Sequence, residues 1–236
     1  AAVDAAKANG GGTPRERDYL AAVDTLYRDT ATRDQRSRTL AYEKAMEALA
    51  AKYPDDVEAR IFYALALGQT ALPTDKSYAN QLKAADILER EFAKQPDHPG
   101  LAHYIIHSFD VPPLAARGLD AARRYAAIAP AAPHALHMPS HTFTRVCYWQ
   151  QSIDTNRKSA EAARKAGGIA AAGEELHALD YQMYAYLQLA DDNAAKAVRE
   201  HAASFESGAA GGPYAFALAA IPARYALERQ AWSEAA

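Results

Sequence analysis

Proline and glycine punctuate this chain at short intervals, and that punctuation constrains the fold more than any other feature. Breaks fall at Pro14, Pro54, Pro73, Pro96 with Pro99, Pro112 with Pro113, Pro130 with Pro133, Gly167 with Gly168, and Gly211 to Pro213. Proline lacks a backbone donor and clashes with the preceding helical turn, so each break ends one helix or opens the next. Between the breaks, apolar residues recur at three- and four-residue spacing, and alanine, the best helix former, is abundant. No run of four or more alternating β-branched residues is present, so strand signals are almost absent. The pattern predicts an all-α chain with helices at roughly 15–29, 34–52, 55–70, 78–94, 99–110, 115–129, 133–147, 150–165, 173–190, 192–206, 213–229 and from 231 onward.

These helices fall into pairs, and the pairs repeat. "YPDDVEARIFYALAL" from Tyr53, "QPDHPGLAHYIIHSF" from Gln95 and "APAAPHALHMPSHTF" from Ala129 each place a proline, a short polar or Pro-rich step and a new helix in the same order. Pro54 and Pro96 are 42 residues apart, and Pro96 and Pro130 are 34 apart. The second helix of a pair alternates small and large side chains, as in Ala84, Ala85, Leu88 and Phe92, in Ala121, Ala122, Tyr125 and Ile128, and in Ala194, Ala195, Val198 and Ala202. "AARRYAAIAPAAP" (121–133) and "YWQQSIDTNRKSAEAARKAG" (148–167) carry a resemblance to the tetratricopeptide repeat family, as a divergent, bacterial-type member with a His-rich pair of repeats. The resemblance covers about 53–236. It departs from the family in the insertions "QTALPTDKS" (69–77) and "AGGIAAAGEE" (166–175), and in lacking most of the Trp–Leu–Gly–Tyr signature. It implies a right-handed α-solenoid of about five to six antiparallel helix pairs, with first helices lining a concave groove that takes a peptide or protein partner. The domain reading is a helix tail and Gly-rich linker over 1–14, then one repeat domain over 15–236, a piece of a longer solenoid.

The bulk numbers exclude several classes. Half of the residues are apolar and the net charge is –3, an ordinary globular balance rather than a disordered one. Lys and Arg (26) are interspersed with Asp and Glu (29), which argues against a nucleic-acid surface. No apolar run approaches the roughly 20 residues of a membrane span. The reading is a soluble protein of a bacterial cytoplasm, or periplasmic or secreted. The single cysteine, Cys147, excludes an internal disulfide and any multi-cysteine metal site.

Chemistry concentrates in two stretches, "HYIIH" (103–107) and "HALHMPSH" (134–141). When the repeats are aligned by their prolines, Pro99 falls on Pro133, His103 on His137 and His107 on His141. One repeat earlier the same positions hold Ile61 and Leu65, so the pairs are not a property of every repeat. Residues four apart share a helical face, so His103, His107, His137 and His141 are candidate metal ligands facing one groove. Asp110, His134, Glu174, His177, Asp180 and Tyr181 extend the stripe, with His98 at its mouth. Imidazole with carboxylate suits a transition metal, zinc or copper first, rather than calcium or magnesium. The zinc-peptidase motif needs Glu directly after the first His, and here Tyr104 and Met138 stand there. Pro139 leaves two arrangements open: a kinked helix with all three histidines on one face, or a helix that begins near Pro139 with His134 and His137 in a loop.

Three functions follow, in order. The first is a helical-repeat binding protein or scaffold whose His-lined groove holds a transition metal or small ligand. The second is a metal-dependent hydrolase or oxidase using the same cluster, with Glu174 or Asp110 as base and Tyr104 or Tyr181 as proton donor. The third is a plain protein–protein adaptor without a ligand site, its histidines making structural hydrogen bonds.

Overall fold

A computed structural model describes residues 2–10, 12–206 and 211–234. Thirteen α-helices are described: α1 Ala2–Ala8, α2 Pro14–Tyr27, α3 Gln35–Lys52, α4 Val57–Thr70, α5 Ala79–Phe92, α6 Pro99–Ser108, α7 Leu119–Ile128, α8 Pro133–His137, α9 Pro139–Arg145, α10 Trp149–Ala166, α11 Gly168–Gln188, α12 Asp192–Ala202 and α13 Pro213–Glu228. A 3-10 turn, Ala115–Gly118, precedes α7, and another, Trp232–Glu234, stands where a last helix was predicted; residues 235–236 of that prediction lie outside the described ones. No strand occurs among the described residues, and none of their helices is long and apolar enough to cross a membrane.

The polar steps between helices act as caps. The Thr13 hydroxyl accepts from the Glu16 N–H while the Glu16 carboxylate accepts from the Thr13 N–H at 2.6 Å, a reciprocal capping box. Asp34, Asp56 and Asp191 accept from the N–H of Ser37, Ala59 and Ala194 at 2.8, 3.3 and 3.0 Å. Pro14, Pro99, Pro133, Pro139 and Pro213 each occupy the first position of a helix, where no N–H is needed.

The chain divides into two units, Ala1–Ser108 and Phe109–Ala236. In the first, each helix from α1 to α6 packs on the next, and α4 also packs on α6. Its fully buried side chains include Met46, Ile61, Leu67, Leu88, Leu101 and Ile106, with Ala84 and Ala85 giving close approach along α5. Arg60 on α4 pairs with the buried Glu91 on α5 at 3.0 Å.

In the second unit α11 packs on α8, α10, α12 and α13. One face of α11 supplies Leu176, Leu179 and Met183 to a core shared with Ala195, Val198 and Ala202 of α12 and Tyr214, Ala217, Ile221 and Tyr225 of α13. The 3-10 turn lies close on α9: a Cβ on Gly118 would stand 3.0 Å from the Thr142 hydroxyl, so only glycine fits there without displacement. Phe143 is buried, Trp149 meets the Tyr184 ring edge-on at 5.7 Å, and Tyr148 is exposed.

Candidate metal centre

The segment 133–147, drawn from sequence as one helix, is two. α8 and α9 are joined through Met138, whose backbone stays right-handed helical (φ –50°, ψ –38°). Pro139 cannot donate to Ala135, and the flanking bonds, Met138 N–H to His134 O at 2.9 Å and His141 N–H to Met138 O at 3.1 Å, bracket the gap. The break therefore keeps the helical path. His137 and His141 remain on one face, their Nε2 atoms 3.1 Å apart.

His137 is wholly buried, and α10 determines its tautomer. The Asn156 amide donates through Nδ2 to the Ser152 carbonyl at 2.7 Å, which turns Oδ1 toward His137. His137 Nδ1 lies 2.6 Å from that oxygen and is the donor. The ring's remaining nitrogen, Nε2, faces His141. Burial first, then the neighbouring His141 and His177, push the His137 pKa well below the ordinary histidine value, so the ring is neutral with a lone pair on Nε2.

His141 is held from the other side. Its Nδ1 donates to Asp110 Oδ2 at 2.9 Å, and Asp110 Oδ1 accepts from Arg145 Nε at 2.8 Å. Burial opposes the charged form of Asp110, but His141 and Arg145 outweigh it and keep the carboxyl below its usual range. The Tyr181 hydroxyl lies 3.3 Å from the same Nδ1, and burial pushes the tyrosine's pKa up to about 12.

The third member comes from α11. The His177 ring centroid lies 4.3 Å from that of His137, and one nitrogen from each of His137, His141 and His177 falls within 4.8 Å of the others. Burial, then His141, lowers the His177 pKa, which favours its neutral, ligating form. Tyr181, one turn further along α11, sets its ring edge-on to His137 at 4.7 Å.

His134 pairs with Glu174 at 3.5 Å, and the hydrogen bond from His134 holds the Glu174 carboxyl below its usual range against burial. Both border a cavity of about 370 Å³ that His177 also lines, walled by Ile169, Pro213 and Tyr214. Asp180 turns to Arg224, accepting at 2.6 and 3.3 Å. In the first unit, His103 and His107 on α6 bring their Nε2 atoms to 3.0 Å. Also in that unit, His98 caps α6: its Nδ1 accepts from the Leu101 N–H at 3.3 Å and its Nε2–H donates to Glu58 at 2.8 Å. His103 and His107 belong to the first unit, and His137 and His141 to the second, where His177 joins them.

Two residues of this region escaped the sequence reading. Asn156 belongs to a polar stripe, Ser152, Asn156 and Ser159, on the buried face of α10, and a buried amide on an amphipathic helix is the signal that was available. Arg224, which fixes Asp180, carried no comparable mark. No protein-family model, curated protein or solved structure matches this chain.

Proposed function

We propose that this chain is a helical-repeat binding protein whose second unit carries a transition-metal centre ligated by His137, His141 and His177, with zinc or copper as the metal. The observation that carries this reading is the facing pair of Nε2 atoms, each on a ring whose Nδ1–H is already held by an oxygen acceptor, Asn156 for one and Asp110 for the other. The two Nε2 atoms lie 3.1 Å apart, and a divalent cation held between the two rings would also engage the third histidine. Oxygen acceptors behind metal-bound imidazoles fix tautomer and orientation in the same way. A tetrahedral metal with bonds near 2.0 Å sets its donors about 3.3 Å apart. The His137–His141 spacing already meets that requirement, and rotation of the His177 side chain brings in the third donor. The histidine–acceptor arrangement, the pairing of successive helices and the repeat spacing together support a tetratricopeptide-like solenoid with a site on its first-helix face. Cobalt(II) titration of untagged protein tests the centre. Intense visible d–d absorption of tetrahedral character, lost in His137→Ala and in His141→Ala, is the predicted outcome; a spectrum identical to aqueous cobalt(II) contradicts it.

A second reading, a metal-dependent hydrolase, draws on the cavity beside His177. Three protein ligands leave a fourth position open, and Glu174 stands at that cavity as a carboxylate able to take a proton. Zinc-loaded protein should then hydrolyse p-nitrophenyl acetate faster than free zinc does, and Glu174→Gln should lose at least tenfold of that rate. A rate equal to that of free zinc contradicts the hydrolase and leaves the binding centre standing.

A further inference from the structure

A cavity of about 540 Å³ in the second unit borders the candidate metal centre and shares Asp110, His141 and Tyr181 with it. Two guanidiniums, Arg145 and Arg224, face it together with Trp149, Tyr181 and Tyr184. Each guanidinium is oriented by a carboxylate from another element: Arg145 donates through Nε to Asp110, and Arg224 through Nε and one Nη to Asp180. Each carboxylate oxygen accepts one of these contacts. Both oxygens of Asp110 accept, from His141 and from Arg145, and both oxygens of Asp180 accept from Arg224. The guanidiniums are not saturated. Each has five N–H donors, and among the described residues Arg145 uses one and Arg224 two. The formal charges balance, and each guanidinium keeps N–H donors beyond those its carboxylate engages.

The apolar wall is equally specific. Trp149 and Tyr184 meet edge-to-face at 5.7 Å with an interplanar angle of 85°, and the Arg224 guanidinium lies 5.7 Å from the Tyr184 ring centroid. Flat aromatic faces beside fixed guanidinium forks suit a planar body that ends in a planar acceptor pair, the geometry of an aryl carboxylate. The cavity volume falls within the 300–1,000 Å³ common to small-molecule pockets. We infer that this cavity is a binding site for a small aromatic carboxylate, whose acid group takes the remaining donors of Arg145 and Arg224 and whose ring packs against Trp149 and Tyr184. The inference does not depend on the metal reading, since none of the contacts it uses involves an imidazole Nε2.

Trp149 is a built-in reporter, and Trp232, the chain's other tryptophan, is exposed. The experiment uses full-length, chelator-treated Trp232→Phe protein, titrated with benzoate, with its neutral analogue benzamide and with inorganic phosphate, and read by Trp149 emission and calorimetry. Benzoate is predicted to give a saturable change, with benzamide and phosphate each at least tenfold weaker. Arg224→Gln should weaken benzoate at least tenfold. Because that change leaves the buried Asp180 without its guanidinium, Arg145→Gln serves as the second variant with the same predicted loss. Circular dichroism checks that each variant is folded. Absence of saturation with benzoate up to about 10 mM, or benzamide or phosphate binding as tightly as benzoate, overturns the proposal. The wild-type comparison decides it even where a variant fails to fold.

Discussion

At His137 the two ring nitrogens have different tasks: Nδ1–H is committed to Asn156 Oδ1, and Nε2 faces His141 and His177. Asn156→Ala removes the acceptor without touching a ligand. It is predicted to weaken zinc binding about 10- to 100-fold, measured by competition with a chromophoric chelator, the range seen when outer partners of metal-bound histidines are lost; unchanged affinity would show that Asn156 does not orient the ring. His137 also gives the protein a pH signature. Its folded pKa lies below the unfolded value near 6.5, so below that pH the unfolded chain binds a proton the folded chain refuses. Its contribution is therefore complete above about pH 7 and is lost as pH falls from 6.5 toward the folded pKa, with a slope of up to about 1.4 kcal/mol per pH unit. The measurement is thus the difference in urea stability between metal-free wild type and His137→Gln at pH 7.5, 6.5 and 5.5, which should shift against the wild type as the pH falls. Part of this was legible beforehand. The alignment places His137 on Ile61, and both are buried, whereas His103 at the same position is only partly buried. Spacing alone does not show that His98 caps a helix; the Leu101 N–H at 3.3 Å does.

Among the elements, α8 and α9 show what proline does to a site. Pro139 removes one hydrogen bond and divides a helix, yet Met138 keeps helical dihedrals and the four-residue spacing of His137 and His141 survives. Sequence alone left two arrangements open because a proline is equally at home in a kink and at a helix start, and the structure combines them: a start that continues the previous helix. α11 carries opposite duties on its faces, with Leu176, Leu179 and Met183 in the core and Glu174, His177 and Tyr181 at the site. Met183→Ala creates a cavity on the core face and should cost about 2–5 kcal/mol in chemical denaturation. Metal stoichiometry should persist while the protein is folded, since the substitution faces away from the histidines. Loss of metal binding at unchanged stability would contradict that separation of faces. Most helix boundaries from sequence fell within a few residues of those observed because caps and prolines are local signals; α11, which begins five residues before the predicted start, is an exception. His177 stood in the sequence only as an extension of the stripe because a contact between α11 and α8 depends on packing, which no local pattern encodes.

The whole chain builds two cores, one for Ala1–Ser108 and one for Phe109–Ala236. The division at Ser108 was not visible in the sequence because "SFDVPP" has the same Pro-rich punctuation as the other steps between helices. A ligand that binds only the folded state stabilises it in proportion to its affinity, by about 2.7 kcal/mol at a hundred times Kd. Zinc at that excess should raise the melting temperature of the wild type but not of His137→Ala, and the effect should reverse with chelator. The adaptor reading instead predicts that metal content and stability are indifferent to His103→Ala combined with His137→Ala. The most direct test of the central claim is elemental analysis of untagged full-length protein after zinc or copper loading and removal of excess, alongside the single variants His137→Ala, His141→Ala and His177→Ala. A three-histidine centre predicts about one equivalent of tightly held metal per chain, with that equivalent lost in each variant. Less than about a tenth of an equivalent in the wild type, or full retention in the variants, would contradict it.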